Sequence, residues 1–560
     1  MGKFVTVEKS PASARFTEHS HRSRIIRSCT PKSTVLILLK LSKAYLALVH
    51  AHKAPIAAVA LAMGGLGPLP LPAQTSPSAS VSSQLPTLGD GSEMTSSAER
   101  RLGDRIVREI YRDPDYLDDP VLVEYVQGIW QPLLAAARLR GDLPPELDER
   151  FAWEVMLVRN RAVNAFALPG GYMGIHLGLI AVVNSRDELA SVLGHELSHV
   201  TQRHISRLLA KQGEQSPWMI GAMILGMLAA SKNADVGNAL IIGGQAVAVQ
   251  NQLNFSRDME READRVGFGV MTEAGFEAQG FVSMFDKLQQ AARLNDNGAY
   301  PYLRSHPLTT ERIADMQSRL TLGASSVGRA EPPLDHAMIT ARARVLSNPG
   351  VDALRAWQTE ADGDSLATLS ISRQAAVLYG AALAASSLRE AGQAGGYLDR
   401  LARLAHADAN AARLVRLLKA EVALKAGDAA RAAAALKAPA QRRPELFLET
   451  QLALQAGHSN DAAQRLQLWV AAHPRDAQAW QLLSSAYAAQ GQTLRAIRAD
   501  AETQVALLNY EAALDRLKAG QELVRRTRTG NAAANHIDAS IIDTRRRQVE
   551  LLLKEQALER

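Results

Sequence analysis

Leu193-Gly-His-Glu-Leu-Ser-His-Val200 decides how this 560-residue chain is read. It sets His195, Glu196 and His199 in the His-Glu-x-x-His spacing. At 3.6 residues per turn, residues four apart share one helix face, so both imidazoles can reach a single metal ion. Glu196, one residue past the first ligand, points to the side where a water polarised by that metal lies, and its carboxylate can take the water's proton. Alone, the motif is not proof, because two surface histidines on an amphipathic helix can also show this spacing. The flanking chain has to decide.

The expected helix runs from Arg186 to Leu209. Ser185 caps its start, Glu188 completes a capping box, and Leu189, Val192, Leu193 and Leu197 form its apolar side. His204 lies nine residues after His195, whereas a metzincin third ligand follows at ten with an intervening glycine. It is therefore read as a surface residue or a support for a ligand. A catalytic zinc wants three protein ligands and one open position, so a second helix must contribute. Arg257-Asp-Met-Glu-Arg-Glu-Ala-Asp-Arg-Val-Gly267 is the candidate. Glu260 and Asp264 are four apart and share a face. Glu260 can bind the metal, while Asp264 accepts the other N–H of a ligating histidine. Glu262 is the fallback ligand.

Composition narrows the chemistry. Cys29 is the only cysteine, so the body of the chain has no disulfide, thiol nucleophile or Cys-held zinc, and a metal must be held by His, Asp or Glu. The net charge of +6 comes from the first 73 residues, which hold ten basic and two acidic side chains. The remainder, with 53 basic and 55 acidic groups, lacks the basic field that nucleic acid needs. Alanine and leucine dominate and aromatics are 5%, which favours helices.

Residues 1–73 read as a secretory leader: a basic region, an apolar run from Pro55 to Pro72, and cleavage after Ala73. Residues 74–99 are a Ser/Thr/Pro/Gly linker. A helical pattern runs from Glu99 to about Arg140. Phe151 to Val158 alternates like a strand, and apolar segments on either side of Pro169-Gly-Gly171 read as a hairpin or edge pair. A substrate peptide is expected to add beside the strand after Gly171. Trp218 to Ala230 is strongly apolar but, at thirteen residues, short for a membrane span. It reads as a packed helix, or as a lid with peripheral membrane contact.

Four blocks occur in order: Asn164-Ala-Phe-Ala-Leu-Pro-Gly-Gly171, His195-Glu-Leu-Ser-His199, Ser256-Arg-Asp-Met-Glu-Arg-Glu-Ala-Asp264 and Ser305-His-Pro307. Together they resemble the zinc endopeptidase family that includes HtpX, the CAAX-processing proteases and the β-barrel assembly-enhancing (BepA-like) proteases. The resemblance covers about residues 100–320. It implies one zinc ion on His195, His199 and Glu260, with Glu196 as general base and Asp264 in support. It also implies an active-site position for His306. That histidine would either donate to the oxyanion of the tetrahedral intermediate or fill the open metal position and hold the enzyme latent. On the residues alone it is a turn histidine, with Thr309 or Thr310 capping the next helix.

Beyond a second linker at 323–335, helical stretches repeat over 336–560. Gly457 and Gly491 are 34 apart, and Trp480, Leu483, Tyr487, Ala496 and Pro474 fit tetratricopeptide spacing, with degenerate units around Gly392 and Gly427. Arg525, Arg526, Arg528 and Arg545 to Arg547 are expected to be solvated in a capping region. Stacked helix pairs offer a concave surface for extended protein segments.

The expected architecture is mainly α: an α+β zincin-like metalloprotease domain with a small sheet at 100–322, then an α-helical tetratricopeptide-repeat solenoid. The resemblance implies a periplasmic enzyme that degrades misfolded or stalled outer-membrane proteins and works beside the β-barrel assembly machinery. The competing reading is a repeat-based chaperone or adaptor whose metal site is latent or structural.

Overall fold

Thr95 and Asp119 open the first two long helices by accepting backbone N–H bonds from Ala98 and Leu122, and Pro120 sits at the first turn of the second, where its missing N–H costs nothing. The computed structural model describes residues 94–211, 256–293, 300–320, 331–436, 442–526 and 532–557. The leader with its cleavage position and Cys29, most of the linker after it, the 218–230 segment and Arg528 lie outside these. The first half contains α1 (Ser96–Arg112), β1 (Tyr116–Leu117), α2 (Pro120–Arg140), α3 (Pro145–Arg150), β2 (Glu154–Val158), β3 (Ala165–Leu168) and β4 (Tyr172–His176). It continues with α4 (Leu177–Val182), α5 (Arg186–Thr201), α6 (His204–Lys211), α7 (Arg257–Glu273), α8 (Gln279–Arg293), α9 (Tyr302–Ser305) and α10 (Thr310–Ser318). Among the described residues no helix is long and apolar enough to cross a membrane.

The four strands form one sheet in the order β1-β2-β4-β3. β2 and β4 run parallel with Glu154 opposite Tyr172, and β3 returns antiparallel with Leu168 opposite Tyr172. The hairpin around Pro169-Gly170-Gly171 is present, with both glycines at positive φ. One expectation is corrected. The strand after Gly171 is β4, which lies between two partners and is buried along its length, so it cannot take on another strand. Among the described residues the edges of the sheet are β1 and β3, and β3, before the turn, is the edge that bonds to the metal helix through Ala167 N.

The two helices that carry the site cross at a pair of glycines. A Cβ on Gly267 would meet the Gly194 backbone and His195 N at 2.9 Å, so only glycine allows α5 and α7 to approach this closely. The expected helix 186–209 is broken. α5 stops at Thr201, Arg203 takes φ +53°, and α6 starts at His204. Arg203 is held in this left-handed conformation by Glu99 and the Met94 carbonyl.

The second half is helical: α11 (Leu334–Ser347), α12 (Val351–Asp362), α13 (Ile371–Ser387), α14 (Ala391–Ala405), α15 (Ala409–Lys425) and α16 (Ala429–Ala435). Then come α17 (Arg443–Gln455), α18 (Ser459–Ala472), α19 (Ala477–Ala489), α20 (Thr493–Ala506), α21 (Tyr510–Arg526) and α22 (Ala532–Ala557). Gly427, Gly457 and Gly491 each take a left-handed conformation in the turn that ends a helix. In the preceding unit that position is Arg389, at φ +63°, and Gly392 lies inside α14. Nor are the late arginines all solvated, because Arg545 forms a two-pronged pair with Glu502.

One apolar core runs from Trp130, Ile175 and Leu193 through Met338 and Tyr379 to Leu418. Its polar seam is ionic. Asp118, Asp119 and Glu124, at the entry to α2, are taken by Arg443, Arg342 and Arg413 from three helices of the second half, at 2.6–2.8 Å. Each arginine also meets a carboxylate of its own half: Asp476, Glu421 and Glu445, respectively. At the far end Leu508 packs with Ile106 of α1, so the helical half reaches back to the start of the first.

Candidate metal centre

Ser185 starts α5 by accepting from Glu188 N at 3.1 Å, but Glu188 accepts from Asn184 N and Lys287 rather than closing a capping box on Ser185. Two turns beyond Glu188, His195 and His199 face inward with their Nε2 atoms 3.0 Å apart. From α7, Glu260 brings its carboxylate to 3.6 Å from His195 Nε2 and 3.5 Å from His199 Nε2. From the turn after α9, His306 places Nδ1 3.0 Å from Glu260 and 3.4 Å from His195 Nε2. One donor atom from each of the four lies within 4.8 Å of all the others, and all four residues are buried.

These spacings suit one ion. Two ligands about 2.05 Å from a tetrahedral metal stand roughly 3.3 Å apart, in the middle of the observed 3.0–3.6 Å range. Among the described residues Glu196 Oε1, fully buried, has no hydrogen-bond partner, and it lies 3.4 Å from His306 Nε2. Its other oxygen accepts from Ala167 N of β3 at 3.0 Å. A carboxylate with one oxygen tethered and the other facing the donor set is placed to handle a proton there.

Around the donors sits a support layer. Asp264 Oδ1 is 2.9 Å from His195 Nδ1, which leaves that imidazole's Nε2 for a metal. Arg312, buried in the first turn of α10, donates to both Asp264 oxygens and lies 2.7 Å from Glu260 Oε2. Thr309 caps that helix by accepting from Arg312 N. Tyr302 stacks on His306, ring centroids 4.7 Å apart. His204 is buried with Nδ1 2.9 Å from His199 Nδ1, and Glu262, the fallback ligand, turns away to His204 and Arg207.

Charge balance follows from these contacts. Burial works against ionising Asp264, but hydrogen bonds from Arg312 and His195 outweigh it and hold its carboxyl below the usual range. Glu260 is likewise lowered against the effect of burial, by His306, His195 and Arg312. Burial also opposes charging His306, yet Glu196 and Glu260 carry its value upward. His199 is pushed well down, first by burial and then by His195, His306 and His204, and burial takes His204 to about 4. Sequence reasoning passed over Arg312. It was visible only as the last residue of Ser305-His-Pro-Leu-Thr-Thr-Glu-Arg312, and nothing local reveals that it bridges two carboxylates on another helix.

Residues 125–320 match the model of peptidase family M48. The chain carries a peptidase family M48 domain. The fold is accordingly a zincin-like metalloendopeptidase domain with a small sheet, followed by a helical region, and the buried His-His-Glu-His cluster lies within the M48 domain. The chain is 33% identical to a putative β-barrel assembly-enhancing protease of Vibrio cholerae, over 57% of this chain and 63% of that one. It is 28% identical to the β-barrel assembly-enhancing protease of Escherichia coli K12, over 83% of this chain and 92% of the relative. It is also 30% identical to the mitochondrial metalloendopeptidase OMA1 of Arabidopsis thaliana, over 29% of this chain and 31% of the relative.

Proposed function

We propose that this protein is a zinc-dependent endopeptidase of the periplasm that degrades misfolded or stalled outer-membrane proteins and assists their assembly. The observation that carries the chemistry is the buried convergence of His195, His199 and Glu260, with Glu196 beside them and tied to the open strand β3. The substrate class and compartment lean on the likeness to β-barrel assembly-enhancing proteases and on the leader-like first 73 residues.

His195, His199 and Glu260 would hold the zinc. Bound there, it supplies Lewis acidity toward water and the scissile carbonyl. Glu196 takes a proton from the attacking water and returns it to the leaving amine. Asp264 and Arg312 hold His195 and Glu260 in place, so the donors need not reorganise during the reaction. The edge of β3 offers backbone groups to an extended peptide, which sets a substrate strand alongside Glu196. The helical half, read as a tetratricopeptide-like solenoid over 336–560, would present proteins to that edge and contact the β-barrel assembly machinery.

His306 supports a second reading, in which the site rests latent and the protein acts mainly as a chaperone or adaptor. Its Nδ1 lies among the donor atoms, where it would complete a closed set of four ligands. Moved aside, the same side chain could instead donate to the oxyanion.

Glu196→Gln separates these readings. Zinc should remain at one ion per chain, while cleavage of an unfolded outer-membrane protein falls by at least about 10²–10⁴-fold. Cleavage that survives the change, or a metal-free wild type that still cuts, defeats the hydrolytic account.

A further inference from the structure

A histidine that gives its Nε2 to a metal carries its proton on Nδ1, and that N–H needs an acceptor. For His195 the acceptor is Asp264, at 2.9 Å. His199 turns Nε2 into the donor cluster and faces a second imidazole with Nδ1, at 2.9 Å from His204 Nδ1. Two ring nitrogens at that distance need one proton between them. His199 supplies it, so His204 accepts at Nδ1 and keeps its own proton on Nε2. That atom has an acceptor as well: Glu262 Oε2 lies 3.1 Å away and also receives Arg207 Nη1 at 2.9 Å. Every ring nitrogen along the line then has one role.

Resting on the metal-site reading above, we infer that His204 is a positioning residue for His199. Glu262 fixes the tautomer of His204, and His204 fixes the ring of His199. The broken helix makes this possible. In an unbroken α-helix, a residue five positions on lies about 140° around the axis from His199. The left-handed Arg203 starts a new helix at His204 and returns that side chain, buried, to the first ring, centroids 4.9 Å apart. The two metal histidines are therefore held unequally, His195 by a carboxylate and His199 by an imidazole. A buried histidine kept only for packing would need neither the Nδ1–Nδ1 contact nor the Glu262 contact.

The test is zinc affinity of the full chain, measured by competition with a chromogenic chelator. The proteins are wild type, His204→Leu, His204→Gln, Glu262→Gln and the double variant His204→Leu/Glu262→Gln. His204→Leu should weaken zinc binding by about 10–100-fold. His204→Gln, which keeps an acceptor, should recover part of that loss. Glu262→Gln should weaken binding in wild type and add nothing in the His204→Leu background, because both act through one line of contacts. Thermal melts of the metal-free proteins show whether a variant folds, and Glu262→Gln, on the solvent side of the pair, carries the test if His204→Leu does not. A folded His204→Leu within threefold of wild type, a Gln variant no better than Leu, or additive effects overturn the relay. A wild type that binds no zinc overturns the metal reading itself.

Discussion

The backbone N–H of Ala167 donates to Glu196 Oε2 over 3.0 Å, tying the edge strand of the sheet to the carboxylate of the metal helix. Ala167 stands opposite Met173, and this N–H points away from β4, so it takes no part in the ladder. Whatever pairs with β3 lies against a strand that also orients Glu196. Ala167→Pro removes the donor without breaking a ladder bond. Losing a hydrogen bond to a charged group of about 1.5–3 kcal/mol should lower kcat roughly 10–100-fold. Melting temperature and zinc content should stay near wild type. An unchanged kcat in a folded variant removes Ala167 from the chemistry.

The crossing of α5 and α7 at Gly194 and Gly267 makes a sharp prediction about packing. In Gly267→Ala the new methyl would stand 2.9 Å from backbone atoms, which cannot rotate away. The helices must separate, and Glu260 moves with α7. Overpacking of this kind costs about 1–3 kcal/mol, partly offset by the better helix propensity of alanine. Zinc affinity should therefore drop more than stability does. Chelator competition and urea denaturation on the same sample measure the two.

Asp119 both caps α2 and binds Arg342 with two contacts, and both groups are almost fully buried. Among the described residues, Asp119→Ala leaves that guanidinium with Glu421 and Tyr379. Breaking a buried pair from one side typically costs about 3–5 kcal/mol. Urea unfolding should show a loss of this size. A loss below 1 kcal/mol would mean that water reaches Arg342 freely.

Glu421 sets a pH dependence. Burial works against its charge, but Arg342 and Lys425 bring it down to about 2. A carboxylate lowered on folding stabilises the protein fully above its unfolded value of about 4.3, and that contribution fades as pH falls from there through about 2. The full effect is on the order of 3 kcal/mol. Wild type should exceed Glu421→Gln in stability at pH 6, and the gap should shrink from about pH 4.5 downward and close only below about pH 2. A gap that stays constant over that range contradicts the assignment.

Much of the site was legible because its logic is local. His195 and His199 sit four apart on a helix, and so do Glu260 and Asp264. Helical periodicity puts each pair on one face before any tertiary contact exists. The hairpin was legible for a similar reason, since Pro169-Gly-Gly171 lies between two apolar segments. Arg312 was not, and His204 was legible only as one of two alternatives, a surface residue or a support for a ligand. A buried arginine between two carboxylates, or an imidazole returned across a helix break, gains its role from partners 48 or more and 58 residues away. Neither leaves a periodic trace.

The sequence by itself determined which groups could carry the chemistry: two histidines and a carboxylate spaced to reach one metal, a second glutamate beside them, no thiol in the body, and a helical pattern in the second half. Spacing along a regular helix is enough for that. Only the tertiary structure decided which strand is open, how α5 and α7 meet at a glycine pair, where the metal helix ends, and that His306 enters the donor set. It also decided that the two halves share one core and an ionic seam. Those outcomes depend on which backbone groups are already paired and which buried charges find partners, and neither exists until distant segments meet.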